Sequence, residues 1–170
     1  DVEDGCVVTF ENYETSSAIL GGLSIREGWG ATYPDYRAGG ISCLNFSSPT
    51  LKDLDIYGNN YGASGGIYCE YSDPLIMNCH VHDNRGYVAI YGGGVTLYQS
   101  DAHIINCLIE DNYTSIYGGG ICVFSLSDPV IENTVIRGNH AESGGGIYAQ
   151  AYNLTLNNVL IEENDADEGG

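Results

Sequence analysis

The chain has 170 residues, 43% of them hydrophobic, which suits one domain with a buried core. Its net charge of −18, with 5 basic against 23 acidic residues, argues against nucleic acid and acidic membrane surfaces as partners. No apolar run approaches the length of a membrane span, so we expect no membrane insertion. The chain starts at Asp1 rather than Met, which favours a processed chain or a piece of a longer protein.

Residues 1–15 form an acidic lead-in, which we interpret as a partial first coil, and residues 16–170 repeat at a nearly constant period. Copies of the repeat begin near residues 16, 47, 72, 100, 127 and 152. A Gly-Gly segment followed by an apolar residue marks most copies. That apolar residue recurs after 26, 28, 26 and 26 residues, at Ile41, Ile67, Val95, Ile121 and Ile147.

A full copy contains three short runs in which inward-facing and outward-facing positions alternate, as in residues 147–149, 130–132 and 134–137. Such short alternation predicts half-buried strands, and the Gly, Asn, Asp, Ser and Pro residues between the runs predict turns. Three strands and three turns in about 26 residues predict one coil of a parallel β-helix. We therefore expect an all-β solenoid of about six coils, each with three short strands.

The alternation also predicts which side chains point into the solenoid. On the first strand they are Ile41, Ile67, Val95, Ile121 and Ile147, followed by Cys43, Cys69, Leu97, Val123 and Ala149. Cys79 and Cys107 are expected to be core neighbours in the same way, whereas Cys122 is expected to point outward. A further set of residues falls at the bend between the second and third strands, where stacked amides could form a ladder. These residues are Asn78, Asn106, Asn133 and Asn158.

The repeats resemble those of the right-handed parallel β-helix proteins in the pectate-lyase-like superfamily. The similarity is greatest to long bacterial secreted and surface proteins with G-G-G-I-Y … S-P-x-I-x-N-C-x-I-x-x-N repeats, as in residues 118–139 here. It covers nearly the whole chain and implies a right-handed parallel β-helix in an extracellular or cell-surface setting. The repeat is specific for the fold rather than for an activity, because its residues have structural roles.

The aromatic residues give the first binding candidates. The longest loop, residues 26–38, contains Trp29, Tyr33 and Tyr36, and loops on a rigid scaffold often carry function. Trp29 could instead pack over the first coil as a lid. Tyr68 and Tyr148 are predicted to face outward on the first strand, where they could bind sugar rings or pack laterally.

Apolar residues at outward positions give a candidate interface, because an exposed apolar patch usually marks a contact surface. They are Leu75, Met77, Ile105, Leu108, Val130, Val135 and Leu160. The solenoid ends give a second one, since an uncapped coil exposes unpaired strand edges and an apolar cross-section. Either a longer polypeptide covers these ends, or identical chains stack head to tail into a filament.

Acidic residues suggest a metal only weakly. Asp73, Asp101 and Asp128 are predicted to stack in one turn column, where calcium or turn N–H groups would have to compensate their charges. His80 and His82 alternate outward on one strand and could share a metal if a third ligand were near. Asp55 and Glu110 are neighbours by register, but the spacing alone does not establish that either one is the third metal ligand. Calcium is thus a possible ligand, and we expect no other cofactor.

The functional hypothesis is a non-enzymatic extracellular structural or adhesive solenoid that assembles with itself or with the rest of a longer surface protein. The alternative is a carbohydrate-binding or polysaccharide-degrading β-helix, that is, a lyase or a glycoside hydrolase. A lyase needs clustered basic residues and a glycosidase needs two carboxylates at a set separation. No basic cluster is evident, and Asp53 with Asp55 is the one carboxylate pair that would merit a test.

Overall fold

The computed structural model describes residues 5–32, 34–86 and 91–168, and the regular elements of these residues are all short β-strands. The first two coils contain β1 (Val8–Phe10), β2 (Ile19–Gly21), β3 (Ser24–Arg26), β4 (Trp29–Gly30), β5 (Ile41–Cys43), β6 (Thr50–Lys52), β7 (Asp55–Tyr57) and β8 (Asn60–Tyr61). The next two contain β9 (Ile67–Glu70), β10 (Leu75–Met77), β11 (His80–His82), β12 (Arg85–Gly86), β13 (Val95–Tyr98), β14 (His103–Ile105), β15 (Leu108–Glu110) and β16 (Tyr113–Thr114). The last two contain β17 (Ile121–Phe124), β18 (Val130–Glu132), β19 (Val135–Arg137), β20 (His140–Ser143), β21 (Ile147–Gln150), β22 (Thr155–Asn157), β23 (Leu160–Glu162) and β24 (Asp165–Glu168).

These strands form four parallel sheets, each six strands deep. The first sheet has the order β1-β5-β9-β13-β17-β21, and the second, third and fourth sheets continue from β2, β3 and β4 with the same step. The chain therefore winds about five turns from the first layer to the last, close to the predicted six coils. Each coil has four strands rather than the three predicted. The additional strand is only two residues long in β4, β8, β12 and β16, too short to show alternation.

The predicted core columns are confirmed by the register of the first sheet. Ile41 lies beside Ile67 and Cys43 beside Cys69, and the next coil continues both columns with Val95 and Leu97. All of these side chains are fully buried. Together with the inward residues of the other sheets they form one continuous apolar core along the solenoid axis. Burial of such an uninterrupted column is the main source of stability in a stacked repeat.

Left-handed backbone at the bends lets the chain turn from one sheet to the next. The predicted asparagine column between the second and third sheets has φ angles of 53°, 54°, 49° and 52° at Asn78, Asn106, Asn133 and Asn158. Asparagine tolerates this region better than most residues. The Asn106 Nδ2 donates to Asn78 Oδ1 at 3.3 Å, and the Asn158 Nδ2 donates to Asn133 Oδ1 at 2.8 Å. The exposed column thus forms two amide pairs.

A second asparagine column, which the sequence analysis missed, lies buried between the third and fourth sheets. Each side-chain amide donates to a backbone carbonyl of the coil before, and each one except that of the last coil also donates to the side-chain oxygen of the next coil at 2.9–3.0 Å. The members are Asn59, Asn84, Asn112, Asn139 and Asn164. The signal was present in the sequence, because an Asn recurs at the end of the third strand in each of these coils.

A small second core covers the outer face of the first sheet. It contains Ala38, Leu44, Ala63 and Tyr68, with Tyr36, Tyr91 and Tyr98 packed against it. Residues just before two of the Gly-Gly pairs lie over the sheet, since the Ala38 N–H donates to Ser42 Oγ and the Gly92 N–H donates to Thr96 Oγ1, both at 2.8 Å. Tyr68 and Cys122 face outward on the first sheet, as predicted from the alternation, but this outer face is not open to solvent. Both point away from the main core but are only 1% and 0% exposed, because the residues before the Gly-Gly pairs cover them.

Candidate functional site

The predicted aromatic binding residues do not form one surface. Trp29 is 37% exposed and stacks on Tyr61 with ring centroids 5.4 Å apart. Tyr36 and Tyr68 belong to the second core, and Tyr68 is too deeply buried there to contact a ligand at the surface. Tyr148 is half-buried and stacks on Tyr117 at 4.3 Å. Tyr33 lies outside the described residues.

A more exposed aromatic column lies at the turn after the first sheet, where the sequence analysis did not place one. Tyr13, Phe46 and Tyr71 are 70%, 66% and 40% exposed. Their rings follow one another at centroid distances of 6.4 and 6.0 Å. All three residues have positive φ. Because aromatic residues rarely occupy that region, the sequence does not predict a stacked aromatic column at this turn. The column offers a stepped aromatic face to solvent.

The predicted apolar interface residues face outward but are covered in part by their neighbours in the coils above and below. Six of the seven are half-buried: Leu75, Met77, Ile105, Leu108, Val130 and Val135. The seventh, Leu160 on the last coil, is 48% exposed. The outer faces of the second and third sheets also contain polar residues, and large outward apolar side chains are most exposed on the end coils, where Ile19 is 59% and Leu160 48% exposed.

The predicted aspartate column is stacked as expected, and its charges meet backbone donors. The Asp101 N–H donates to Asp73 Oδ1 at 2.7 Å, and the Asp128 N–H donates to Asp101 Oδ1 at 2.7 Å. Ser48 Oγ accepts from the Asp73 N–H at 2.9 Å. The N–H groups of Asp101 and Asp128 thus partly offset the charges of the Asp73 and Asp101 carboxylates. Calcium binding at this column stays a prediction.

Histidine and carboxylate side chains meet on the outer face of the third sheet. β7 pairs with β11 in a register that places Asp55 beside His80, and His82 lies two residues further on the same face. The His82 Nε2 is 3.0 Å and the His80 Nδ1 is 3.6 Å from Asp55 Oδ1. The two imidazole rings are stacked with centroids 4.0 Å apart. Tyr57 also stacks on His82, with ring centroids 5.1 Å apart.

Further carboxylates hold the outer nitrogens of both histidines. The His80 Nε2 is 2.8 Å from Glu110 Oε1, and the His82 Nδ1 is 2.7 Å from Asp83 Oδ2. Arg137 donates from Nε to Glu110 Oε2 at 2.7 Å and so anchors that carboxylate. We call Asp55, His80, His82, Asp83 and Glu110 the histidine cluster.

Burial and charge act in opposite directions within the histidine cluster. Partial burial lowers the pKa of His82, but hydrogen bonds to the carboxylates of Asp83 and Asp55 raise it more, so the pKa lies above its ordinary value. For Glu110, desolvation raises the pKa, whereas Arg137 and His80 lower it by more. These shifts favour a charged Glu110 and a protonated His82, and the close approach of carboxylate oxygens to imidazole nitrogens can hold a proton or a cation.

A shallow groove of about 560 Å³ adjoins the histidine cluster. Its lining includes Asp53, Asp55, Asn78 and His80. Asp53 has a φ of 53° and accepts a hydrogen bond from Asn78 Nδ2 at 3.1 Å, so it takes part in the bend. Asp55 faces the histidines instead. Asp53 and Asp55, the predicted candidate pair for a glycosidase, therefore have different partners.

The fold defines a parallel β-solenoid, and comparison with known proteins gives its family. A family model described as "Right handed beta helix region" matches residues 1–116 and again residues 39–170, so the chain belongs to the right-handed β-helix family. This family includes both enzymes and non-enzymes. No curated protein and no solved structure matches the chain. Within residues 5–32, 34–86 and 91–168, no helix has the length and apolar character needed to cross a membrane.

Proposed function

We propose that this chain is a non-enzymatic structural or adhesive solenoid of the extracellular space or cell surface, which associates end to end through its last coil. The observation that supports this proposal is the exposure of core positions at one end. Leu156 and Ile161 are 41% and 45% exposed, whereas the residues at the same positions of the preceding coil, Ile131 and Ile136, are fully buried.

Covering that coil would bury apolar surface and pair the open strand edges of β21 to β24. Burial of apolar area contributes about 25 cal/mol per Å², and each strand of a covering coil would add backbone hydrogen bonds. A second copy of the chain can supply such a coil, and so can further coils of a longer protein. A head-to-tail contact need not close on itself, so repeated stacking gives a filament. Copies with a net charge of −18 repel one another, and the salt of a cation-rich extracellular medium would screen this repulsion.

Association of the 170-residue chain can be followed by sedimentation velocity over a wide concentration range. We expect mass to rise with protein concentration and Ile161→Lys to abolish the rise, because a charge would then lie in the covered cross-section. Leu160→Lys is the matched control, since its side chain is on the same strand but points sideways. Circular dichroism would verify that both variants are folded.

Monomeric wild-type protein at all concentrations would refute end-to-end association. Loss of association in Leu160→Lys but not in Ile161→Lys would show that the contact is lateral instead.

Carbohydrate binding is a second candidate function, and the exposed aromatic column favours it. Sugar rings pack their C–H faces on aromatic rings, and Tyr13, Phe46 and Tyr71 present three rings in succession. The strongly acidic chain would repel acidic polysaccharides, so neutral polysaccharides are the expected ligands.

Native affinity electrophoresis in gels that contain neutral or acidic polysaccharide tests this candidate. We expect a neutral polysaccharide to retard the wild-type chain and Phe46→Ala to migrate freely. Tyr152→Ala, which removes a 75% exposed ring on the last coil, is the control and should behave as wild type. Equal migration of all three proteins in every gel would reject carbohydrate binding by the column.

A further inference from the structure

The histidine cluster lies apart from the open last coil and the aromatic column, and its strands are held by pairing on both sides. β7 and β11 lie in the middle layers of the third sheet and are paired on both sides by further strands. Asp55, His80 and His82 therefore project from neighbouring strands of a fixed scaffold, with their side chains on one face. Rigid placement on strands holds ligand atoms more precisely than a loop does.

Each histidine presents one nitrogen to Asp55 and has the other nitrogen tied to a different carboxylate. His80 donates from Nε2 to Glu110 and faces Asp55 with Nδ1, whereas His82 donates from Nδ1 to Asp83 and faces Asp55 with Nε2. Metal-binding histidines show this arrangement, because the outer N–H···carboxylate bond fixes the tautomer and the ring orientation. Once the proton between His82 Nε2 and Asp55 Oδ1 has left, the lone pairs of the two inner nitrogens can converge on a point near Asp55.

We propose that Asp55, His80 and His82 bind a divalent transition-metal ion of the zinc type, with Glu110 and Asp83 as positioning residues. Their ligand atoms all lie within 4.8 Å of one another. In tetrahedral coordination with bonds of about 2.0–2.1 Å, neighbouring ligand atoms are about 3.3 Å apart. The observed separations from Asp55 Oδ1, 3.0 Å to His82 Nε2 and 3.6 Å to His80 Nδ1, lie on either side of that value.

The ligand set selects among metal ions. Two imidazole nitrogens and one carboxylate suit zinc and copper, whereas calcium and magnesium require more oxygen ligands. On binding, the ion takes the place of the proton between His82 Nε2 and Asp55 Oδ1, and that proton leaves to solvent. His80 and Asp55 are 37% and 45% exposed in their side chains, so the fourth coordination position is open to water or to a donor from another molecule.

The other histidines provide internal controls. His103 faces Glu132 at 3.1 Å, and His140 faces Asp165 at 3.2 Å. Within the part of the chain that the structure describes, neither belongs to a group of three metal-ligating side chains whose atoms lie as close together. A metal that bound at any imidazole–carboxylate pair would bind at His103 and His140 as well.

The experiment is a calorimetric titration of the chelator-treated 170-residue chain with Zn²⁺, repeated with Ca²⁺. We expect one Zn²⁺ per chain and much weaker binding of Ca²⁺. Glu110→Gln should weaken Zn²⁺ binding roughly 10-fold and His80→Gln by more than about 100-fold, since loss of outer carboxylates alone costs 10–100-fold. His103→Gln should bind like wild type.

The visible spectrum of the Co²⁺ complex gives a second readout, because intense bands report four-coordinate nitrogen and oxygen ligation. We expect these bands in wild type and His103→Gln and not in His80→Gln. Several weak Zn²⁺ sites per chain, equal loss in His80→Gln and His103→Gln, or Ca²⁺ binding as tight as Zn²⁺ would each overturn the proposal and show only cation attraction to an acidic surface. Circular dichroism would verify the fold of every variant.

Discussion

Asn112 lies in the middle of the buried asparagine column and bonds to the coils on both sides. Its Nδ2 donates to Asn139 Oδ1 and to the Val81 carbonyl, and its Oδ1 accepts from the backbone and side chain of Asn84. Alanine at this position would leave several of these buried groups without partners. Each such group costs about 1–3 kcal/mol, so we expect Asn112→Ala to lower the free energy of unfolding by about 3 kcal/mol or more.

Urea denaturation monitored by circular dichroism measures this loss. Asn153→Ala is the control, because Asn153 is exposed and its replacement should change stability by less than about 0.5 kcal/mol. If Asn112→Ala were no more costly than Asn153→Ala, the buried amides would contribute nothing beyond what water offers the unfolded chain.

The rate at which the Cys122 thiol is labelled would show whether the cover over the outer face of the first sheet stays closed. The Cys122 side chain points away from the main core but is fully buried, and burial raises the pKa of its thiol well above the ordinary value. Since the thiolate is the reactive form, we expect iodoacetamide to label half-buried Cys6 before Cys122 in the folded protein. Peptide mass spectrometry after timed labelling would measure both rates. Labelling of Cys122 as rapid as that of Cys6 would mean that the covering segment opens readily.

At the scale of elements, the second core places a carboxylate where its charge is unfavourable. Glu70 ends β9 close to Tyr68, and burial raises its pKa, although Arg37 and a hydrogen bond from Tyr68 lower it in part. A folded pKa above the unfolded one means that the fold favours the protonated form. That contribution is present below the unfolded pKa and is lost as the pH rises through the folded pKa.

Glu70→Gln should therefore increase the free energy of unfolding at pH 7, because glutamine is neutral and still accepts from Tyr68. The gain should vanish below about pH 4, where Glu70 is protonated in both states. Urea denaturation of wild type and variant at both pH values provides the comparison. A destabilised variant at pH 7 would show that attraction to Arg37 outweighs the cost of burial.

The sequence predicts the strands that alternate over three or more residues and misses those that are too short to alternate. Alternation around Ile67, Ile76 and Val81 identifies three strands of a coil and their inward side. A two-residue strand such as Arg85–Gly86 carries no alternation, so the fourth sheet could not be inferred. The cover over Tyr68 depends on how the non-periodic segments before the Gly-Gly pairs fold back, which no period encodes.

The histidine cluster was predictable in part. Register alone places Asp55 and Glu110 beside the histidine strand, because parallel strands in a solenoid are stacked with a constant offset. Ring orientation was not predictable, since it depends on the contacts of both nitrogens of each ring with different carboxylates. The proposed metal site therefore rests on side-chain geometry rather than on spacing.

At the scale of the whole molecule, stability should vary along the solenoid axis. A coil in a stacked repeat contacts only its neighbours, so an inner coil has two stabilising interfaces and an end coil has one. Ile104 and Ile109 in the fourth coil are fully buried, whereas Leu156 and Ile161 in the last coil are 41% and 45% exposed. Local opening should therefore require less free energy in the last coil than in the fourth.

Amide hydrogen exchange followed by mass spectrometry would measure this gradient. In dilute protein, we expect β22 and β23 to exchange faster than β14 and β15, which occupy the same sheets two coils earlier. If the chain associates end to end as proposed, a higher protein concentration should slow exchange in β22 and β23 and leave β14 and β15 unchanged, because an end coil gains a partner and the inner coils do not. Ile161→Lys should remove this dependence on concentration. Uniform exchange along the axis in dilute protein would mean that the coils unfold as one cooperative unit and that the exposed end carries no local weakness.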